Sequence, residues 1–213
     1  VYRNSDPSDI VVTAAGGLVG GVVQVWKPKQ LNTFETEWGF SCMGYEISGA
    51  LGIKMAKPDQ DVVVFVGDGS YLLNNTDIYS SVIYDQKLII IVCDNGGHMV
   101  INRLQLAKGG KEYICNLRAA RATNLKFVDF ENHAKSMGAN AETVSSTSEL
   151  EAAYKRAKDS DKTYVITIKT HGYEWLEGTA FWESPTLQDP ITDNNKSALE
   201  DFESGKSKQR KGV

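Results

Sequence analysis

The sequence predicts an α/β fold, a doubly wound parallel sheet flanked by helices. Two observations carry that expectation. Apolar runs of strand length alternate with segments of helical periodicity, the order that gives parallel strands joined by right-handed crossovers. Two of those runs also end in polar, glycine-rich turns: Asp61-Val-Val-Val-Phe-Val66 leads into Gly67-Asp68-Gly69-Ser70, and Lys87-Leu-Ile-Ile-Ile-Val92 leads into Asp94-Asn95-Gly96-Gly97. An open sheet of this kind places its ligands beyond the carboxyl ends of its strands.

The elements follow in order. Residues 9–14 read as a buried strand, and Ala15-Gly16-Gly17 turns into a short helix ending near Trp26-Lys27-Pro28. Residues 43–56 read as a helix with Met43, Ile47, Ala50, Leu51 and Met55 on one core-facing stripe. Gly49 and Gly52 inside it cost about 1 kcal/mol each against alanine, so another backbone is expected to pack closely there. Pro58-Asp59 stops the helix before the strand at 61–66. Residues 71–84 read as one helix and 87–93 as the next strand. From Asn95 to about Phe127 regularity fades, and so long a loop in a compact domain is usually functional. Residues 129–137 are helical and Val144 closes a short strand. Ser146-Thr-Ser-Glu149 is a capping box opening a helix to about Lys158. Residues 163–169 form the last strand. This organisation places an α/β domain at 1–171 and a tail at 172–213. The tail carries Tyr173, Trp175, Phe181 and Trp182, then turns basic at Lys206, Lys208, Arg210 and Lys211, as a solvated terminus does.

The length of 213 residues fits one large domain, or one domain plus tails. A formal charge of −4 gives no reason to expect nucleic acid. No apolar run reaches the ~18 residues of a membrane span. Cys42, Cys93 and Cys115 follow no zinc spacing and are odd in number, which points to a reducing, cytoplasmic setting. Val1-Tyr2-Arg3 reads as a chain already in progress, so a fragment of a longer protein is expected.

The two turns offer oxygen ligands: the Asp68 carboxylate, the Asn95 amide and a backbone carbonyl near Gly97. Few charges and all-oxygen donors suit Mg²⁺, which also takes phosphate oxygens. Gly69 permits close approach to a phosphate, and Ser70 opens a helix whose first amides favour an anion.

Gly67-Asp68-Gly69-Ser70, its leading strand, the second strand and Asp94-Asn95 together resemble the motif of thiamine diphosphate-dependent enzymes. The resemblance implies their diphosphate-binding (PP-type) domain, with thiamine diphosphate and Mg²⁺ as cofactors. It implies metal ligands at Asp68, Asn95 and Gly97, and cofactor contacts at Gly67, Asp68, Gly69, Ser70, Asn95, Gly97 and His98. Met43, just before Gly44, matches the bulky residue over which the family bends its cofactor. The Ser41 carbonyl matches the acceptor for the aminopyrimidine, although many members have glycine there. The backbone of Gly17 and Leu18 matches the diphosphate loop, without the Gln and His that relatives often carry. The family's pyrimidine-contacting glutamate lies in another domain, and Glu35, Glu37 and Glu46 do not match its segment. The chain therefore resembles the C-terminal third of a longer enzyme, inactive alone. The resemblance implies a pyrimidine-binding domain from the missing N-terminal part or another chain, and a homo-oligomer, dimer or tetramer, of the full-length enzyme.

Within that family, the run from His98 through Ile101-Asn102-Arg103-Leu104-Gln105, the Gly109-Gly110 pair, Cys115-Asn116-Leu117, the run Trp38 to Glu46 and Ala180-Phe181-Trp182-Glu183 are similar to the branch that opens the ring of trihydroxycyclohexane-1,2-dione in myo-inositol breakdown. The resemblance implies hydrolytic carbon–carbon cleavage of a cyclic polyol dione. Asn102, Arg103, Gln105 and Asn116 become candidates to hold its hydroxyls, and His98 a candidate proton relay. His133 and His171 read as structural. An acetolactate-synthase-like carboligase or decarboxylase fits less well because of the loop at 101–105. A non-catalytic phosphate-binding module would be expected to carry a glycine fingerprint or P-loop lysine, which the sequence lacks.

Overall fold

The computed structural model describes residues 1–176 and 186–209. Ala180-Phe181-Trp182-Glu183, Arg210 and Lys211 lie outside the described residues. The chain divides into two compact units, Val1–Gly97 with Lys126–Gly172, and His98–Leu125 with Tyr173–Val213.

The first unit holds the whole sheet. Its strands are β1 (Ile10–Thr13), β2 (Phe34–Thr36), β3 (Val62–Gly67), β4 (Ile89–Asp94), β5 (Asn140–Val144) and β6 (Tyr164–Lys169), in the order β2-β1-β3-β4-β6-β5. Every neighbouring pair is parallel. This is the doubly wound sheet the sequence predicts. Its helices are α1 (Gly16–Val25), α2 (Tyr45–Ala56), α3 (Asp68–Leu73) and α4 (Thr76–Ile83), followed by one at Phe130–Ser136 and one at Thr147–Asp159.

Alternation along the strands divides the core between two faces. Val12, Val64 and Ile90 pack with Ile47, Ala50 and Leu51 of α2, Ile78 of α4, and Phe130 and Ala134. Val11, Val63, Ile89 and Ile91 pack on the other side with Val22 of α1 and with Ala153, Tyr154 and Ala157. Strands buried on both faces read as unbroken apolar runs, the composition that marked 61–66 and 87–92.

The strand order reverses beside β1. The chain leaves β1 for β2 on one side and returns across it to β3 on the other. A crevice opens at the carboxyl ends of strands at such a switch point. The β3–β4 register pairs Gly67 with Cys93, so Asp68 and Asp94 leave the sheet side by side.

Two local expectations are corrected, at 71–84 and at Gly49 and Gly52, and two further details appear. The helix expected over 71–84 is two helices, because Asn74 leaves helical geometry and Asn75 starts again. The Asn74 side chain donates to Ser48 Oγ at 2.6 Å and that of Asn75 to the Tyr71 carbonyl at 3.2 Å, the local competition that makes asparagine a poor interior helix residue. β2 is a three-residue edge strand too short to show a period. Gly49 faces the Tyr45 ring rather than a backbone, and Gly52 faces open space. His133 is structural as expected: its Nδ1 lies 2.9 Å from the hydroxyl of the buried Tyr71.

In the second unit, the stretch expected to be irregular contains the helix α5 (Met99–Ala107). The chain there numbers on through α6 (Phe130–Ser136) and α7 (Thr147–Asp159) of the first unit to α8 (Asp193–Ser207), a helix in the segment expected to be a tail. Thr192 caps α8 by accepting from the Asn195 amide at 3.2 Å. Among the described residues no helix is long and apolar enough to cross a membrane.

Candidate functional site

Asp68 follows β3 directly and is only 3 % exposed. Its Oδ2 accepts from the Gly97 amide at 2.7 Å. That reach is possible because Gly96 and Gly97 have φ of 87° and 137°, which only glycine adopts readily, so the loop after β4 folds back. The Asn95 amide oxygen then faces the Gly97 carbonyl oxygen at 2.9 Å and Asp68 Oδ1 at 3.2 Å; turned over, the same amide donates to both. The Asn95 amide thus sits beside both of the other expected ligands.

The surroundings make a charge on Asp68 costly. Burial, then the neighbouring Asp94 carboxylate, push the Asp68 carboxyl above its usual range, against the pull of the Gly97, Asn95 and Gly69 amides. Asp94 is itself buried, accepts from the Gly96 amide at 3.1 Å and pairs with Lys169 at the end of β6. Desolvation first, then Asp68, lift the Cys93 thiol to about 12, so it stays neutral. All three cysteines are free thiols. Asp94 and Lys169 are partners that only the structure adds; the Asp94-Asn95 doublet is the sequence signal for the first of them.

The segment before α2 lies against this turn. Gly44 has φ of 92° and stops the helix from starting earlier. Met43 therefore stays outside α2, 37 % exposed, rather than opening the core stripe. Ser41 has φ of 51°, and Glu37 receives the Phe40 and Cys42 amides at 3.0 and 2.7 Å on either side of it. Ser70 does not leave its hydroxyl free: it donates to Glu46, at 2.8 and 2.7 Å to the two carboxylate oxygens, and accepts from the Gly44 amide at 2.8 Å. Glu46 is a second residue the sequence reading set aside; a carboxylate beside the apolar Ile47 position was the available signal.

At the end of β1, Gly17 and Leu18 fall in the first turn of α1. Ala15, the residue before that helix, makes no side-chain cap, so the first-turn amides remain available to an anion. Gly67 and Gly69 flank Asp68 with no side chain to obstruct a ligand; a Cβ at Gly67 would meet nothing within 4 Å.

The remaining candidates belong to the second unit. His98 is half-buried, and its amide donates to the Cys115 carbonyl at 2.8 Å. Asn102 and Asn116 donate to Glu112 Oε1 at 2.9 and 3.2 Å, and Tyr173 donates to the same oxygen at 2.7 Å. The Arg103 guanidinium lies 5.1 Å over the Trp175 ring, and Gln105 donates to the Lys111 carbonyl at 2.5 Å. These side chains are brought together by bracing their own unit.

Comparison with known proteins gives three findings. Residues 14–168 match the family model for the thiamine pyrophosphate enzyme, C-terminal TPP binding domain. The chain is similar to proteins named 3D-(3,5/4)-trihydroxycyclohexane-1,2-dione hydrolase: 38 % identical to that of Halalkalibacterium halodurans over 82 % of this chain and 28 % of the relative, and 36 % identical to that of Lacticaseibacillus casei over 96 % and 32 %. It therefore spans about a third of the length of the curated relatives it matches. Among solved structures it resembles a thiamine diphosphate-dependent 4-hydroxybenzoylformate decarboxylase of Rhodococcus jostii RHA1, with a TM-score of 0.68 and 20 % identity over 80 % of this chain and 31 % of that one. At that identity the likeness is one of fold.

Proposed function

Because the chain belongs to the thiamine pyrophosphate enzymes, as their C-terminal TPP binding domain, we propose that it is the diphosphate- and Mg²⁺-holding part of a trihydroxycyclohexane-1,2-dione hydrolase. The observation that carries the metal is that the Asn95 amide lies within 3.2 Å of both the Asp68 carboxylate and the Gly97 carbonyl. Separations of 2.9 and 3.2 Å are close to the ~2.9 Å between neighbouring ligands of an octahedral ion bound at about 2.0–2.1 Å. The amide of Asn95 can offer its oxygen to a cation or its nitrogen to the two neighbouring oxygens. A cation also relieves the repulsion between Asp68 and Asp94.

Bound thiamine diphosphate supplies a nucleophilic carbon and an electron sink for cleaving a bond beside a carbonyl. The chain's own residues hold and shape it. Asp68, Asn95 and the Gly97 carbonyl hold Mg²⁺. The amides of Gly17, Leu18, Gly69 and Ser70 meet the diphosphate, and Gly67 leaves room for it. Met43 stands outside its helix as an apolar support, and the Ser41 carbonyl accepts from the aminopyrimidine. His98 moves a proton at its imidazole. Asn102, Arg103 and Gln105 hold substrate hydroxyls after exchanging Glu112, Trp175 and Lys111 for them. The pyrimidine-contacting glutamate comes from another part of the polypeptide or another chain, in a cytoplasmic homo-oligomer.

The test is to incubate the full polypeptide carrying this chain with the cyclic dione, thiamine diphosphate and Mg²⁺, and to weigh the product. A ring-opened acid one water heavier than the substrate, lost with EDTA, is expected. Turnover of pyruvate with none of the dione would overturn the reading in favour of a carboligase.

A further inference from the structure

We propose that Glu46 is a positioning residue, acting through Ser70 to hold the segment that carries Ser41 and Met43 against the turn that carries Asp68. The inference rests on the reading of those two residues as cofactor contacts.

Glu46 lies in the first turn of α2 and is 1 % exposed. Its carboxylate receives the Ser70 hydroxyl and, at 3.0 Å, the Gly44 amide. The Gly44 amide also reaches Ser70 Oγ, so the three groups close a triangle. One corner is the backbone immediately after Met43. Another is the second residue after Asp68. Glu46 forms no ion pair with a Lys, Arg or His among the described residues. A carboxylate taken from water and met only by a hydroxyl and an amide is costly, and an apolar residue would fill the same space more cheaply. What the carboxylate adds is direction: two donors from two separate segments must meet at one point.

The segment has reason to need holding. Ser41 and Gly44 both sit in the left-handed region, bracketing Cys42 and Met43. Glu37 pins the far end through the Phe40 and Cys42 amides. Asn74 adds a contact to the Gly44 carbonyl at 3.4 Å and to Ser48. The Glu46–Ser70 contact is the buried tie between this segment and the metal turn. Met43 and the cation ligands can then present one rigid surface to a ligand that bridges them, the supporting shell that fixes a site's geometry.

The test combines amide exchange with ligand binding in Glu46→Leu, Ser70→Ala, the double variant and the conservative Glu46→Gln. Exchange in residues 39–44 should quicken about tenfold in each disruptive single variant, the size of one lost hydrogen bond to a buried charge. Amides of β3 and β4 should not change. The double variant should be no faster than the worse single one, because the pair acts as a unit. Thiamine diphosphate affinity in Mg²⁺ should fall by a similar factor while Mn²⁺ binding alone holds, and Glu46→Gln should recover part of both. Unchanged exchange in 39–44 in both Glu46→Leu and Ser70→Ala would overturn the tie. Absence of thiamine diphosphate binding in the wild type would instead overturn the functional reading of the site. The two failures appear in separate measurements.

Discussion

Two glycines eight residues apart should respond in opposite directions to the same added methyl. Gly44 has φ of 92°, a conformation that costs an L-residue roughly 1–2 kcal/mol. Its Cβ would sit 2.9 Å from Asn74 Cβ and 3.6 Å from the Asn74 amide, where carbon contacts settle at about 3.5–4.0 Å. Asn74 cannot swing away freely, because its amide is bonded to Ser48 at 2.6 Å. Overpacking of this kind adds about 1–3 kcal/mol. The stiffer unfolded chain returns only ~0.4–1 kcal/mol. Gly44→Ala should therefore cost about 2–4 kcal/mol net, and Tm should fall by roughly 2–4 °C for each of them. Gly52 lies within α2, and a Cβ there would meet nothing within 4 Å. Gly52→Ala should stabilise by up to about 1 kcal/mol. Thermal melts followed by circular dichroism measure both. A Gly44→Ala melt superimposable on the wild type, or a Gly52→Ala loss as large as that of Gly44→Ala, would refute the reasoning.

Three other outcomes are expected. Lys158 joins Asp6 at 2.7 Å, the buried Asp9 at 2.8 Å and Asp61 at 3.2 Å, so Lys158→Met strands a buried carboxylate and should cost about 3 kcal/mol, read as a lower urea midpoint with unchanged slope. The Arg156 fork, with added help from the Tyr164 hydroxyl and against partial burial, holds the Glu142 carboxyl below its ordinary value of 4.5, so this pairing contributes stability above the unfolded value that is lost as pH falls through the folded one; Glu142→Gln should flatten that part of the acid limb and leave the alkaline limb unchanged. Gly109 has φ of 76°, and its Cβ would lie 2.6 Å from the Asn194 carbonyl carbon and oxygen, so Gly109→Ala should speed amide exchange in α5 and α8 while the sheet amides hold.

The fold was legible because the strongest signals are compositional. β3 and β4 are buried on both faces, so they read as apolar runs with no polar interruption. The turn proposed to hold the metal was legible for a related reason: Gly96 and Gly97 are there because the backbone turns into a region other residues avoid, and Asp68 because the strand ends there. What was not legible depends on partners distant in sequence. The Ser70 hydroxyl's partner was hidden because Glu46 is far from it along the chain. Met43 fitted a helical stripe by spacing alone, and only the left-handed Gly44 takes it out of the helix. The break at Asn74 depends on Ser48, again in another element. α5 is mostly apolar but spreads those residues around the helix, with Ile101 and Leu106 exposed, and α8 is largely polar, so neither displays one clean stripe.

The central claim is that Asp68, Asn95 and Gly97 hold a Mg²⁺ that secures thiamine diphosphate. It is tested most directly by calorimetric titration of thiamine diphosphate into the protein, with Mg²⁺ and with EDTA, for the wild type and Asp68→Ala. The expected result is heat that requires Mg²⁺ and disappears in Asp68→Ala. Equal heat in EDTA, or binding that survives loss of the Asp68 carboxylate, would contradict it.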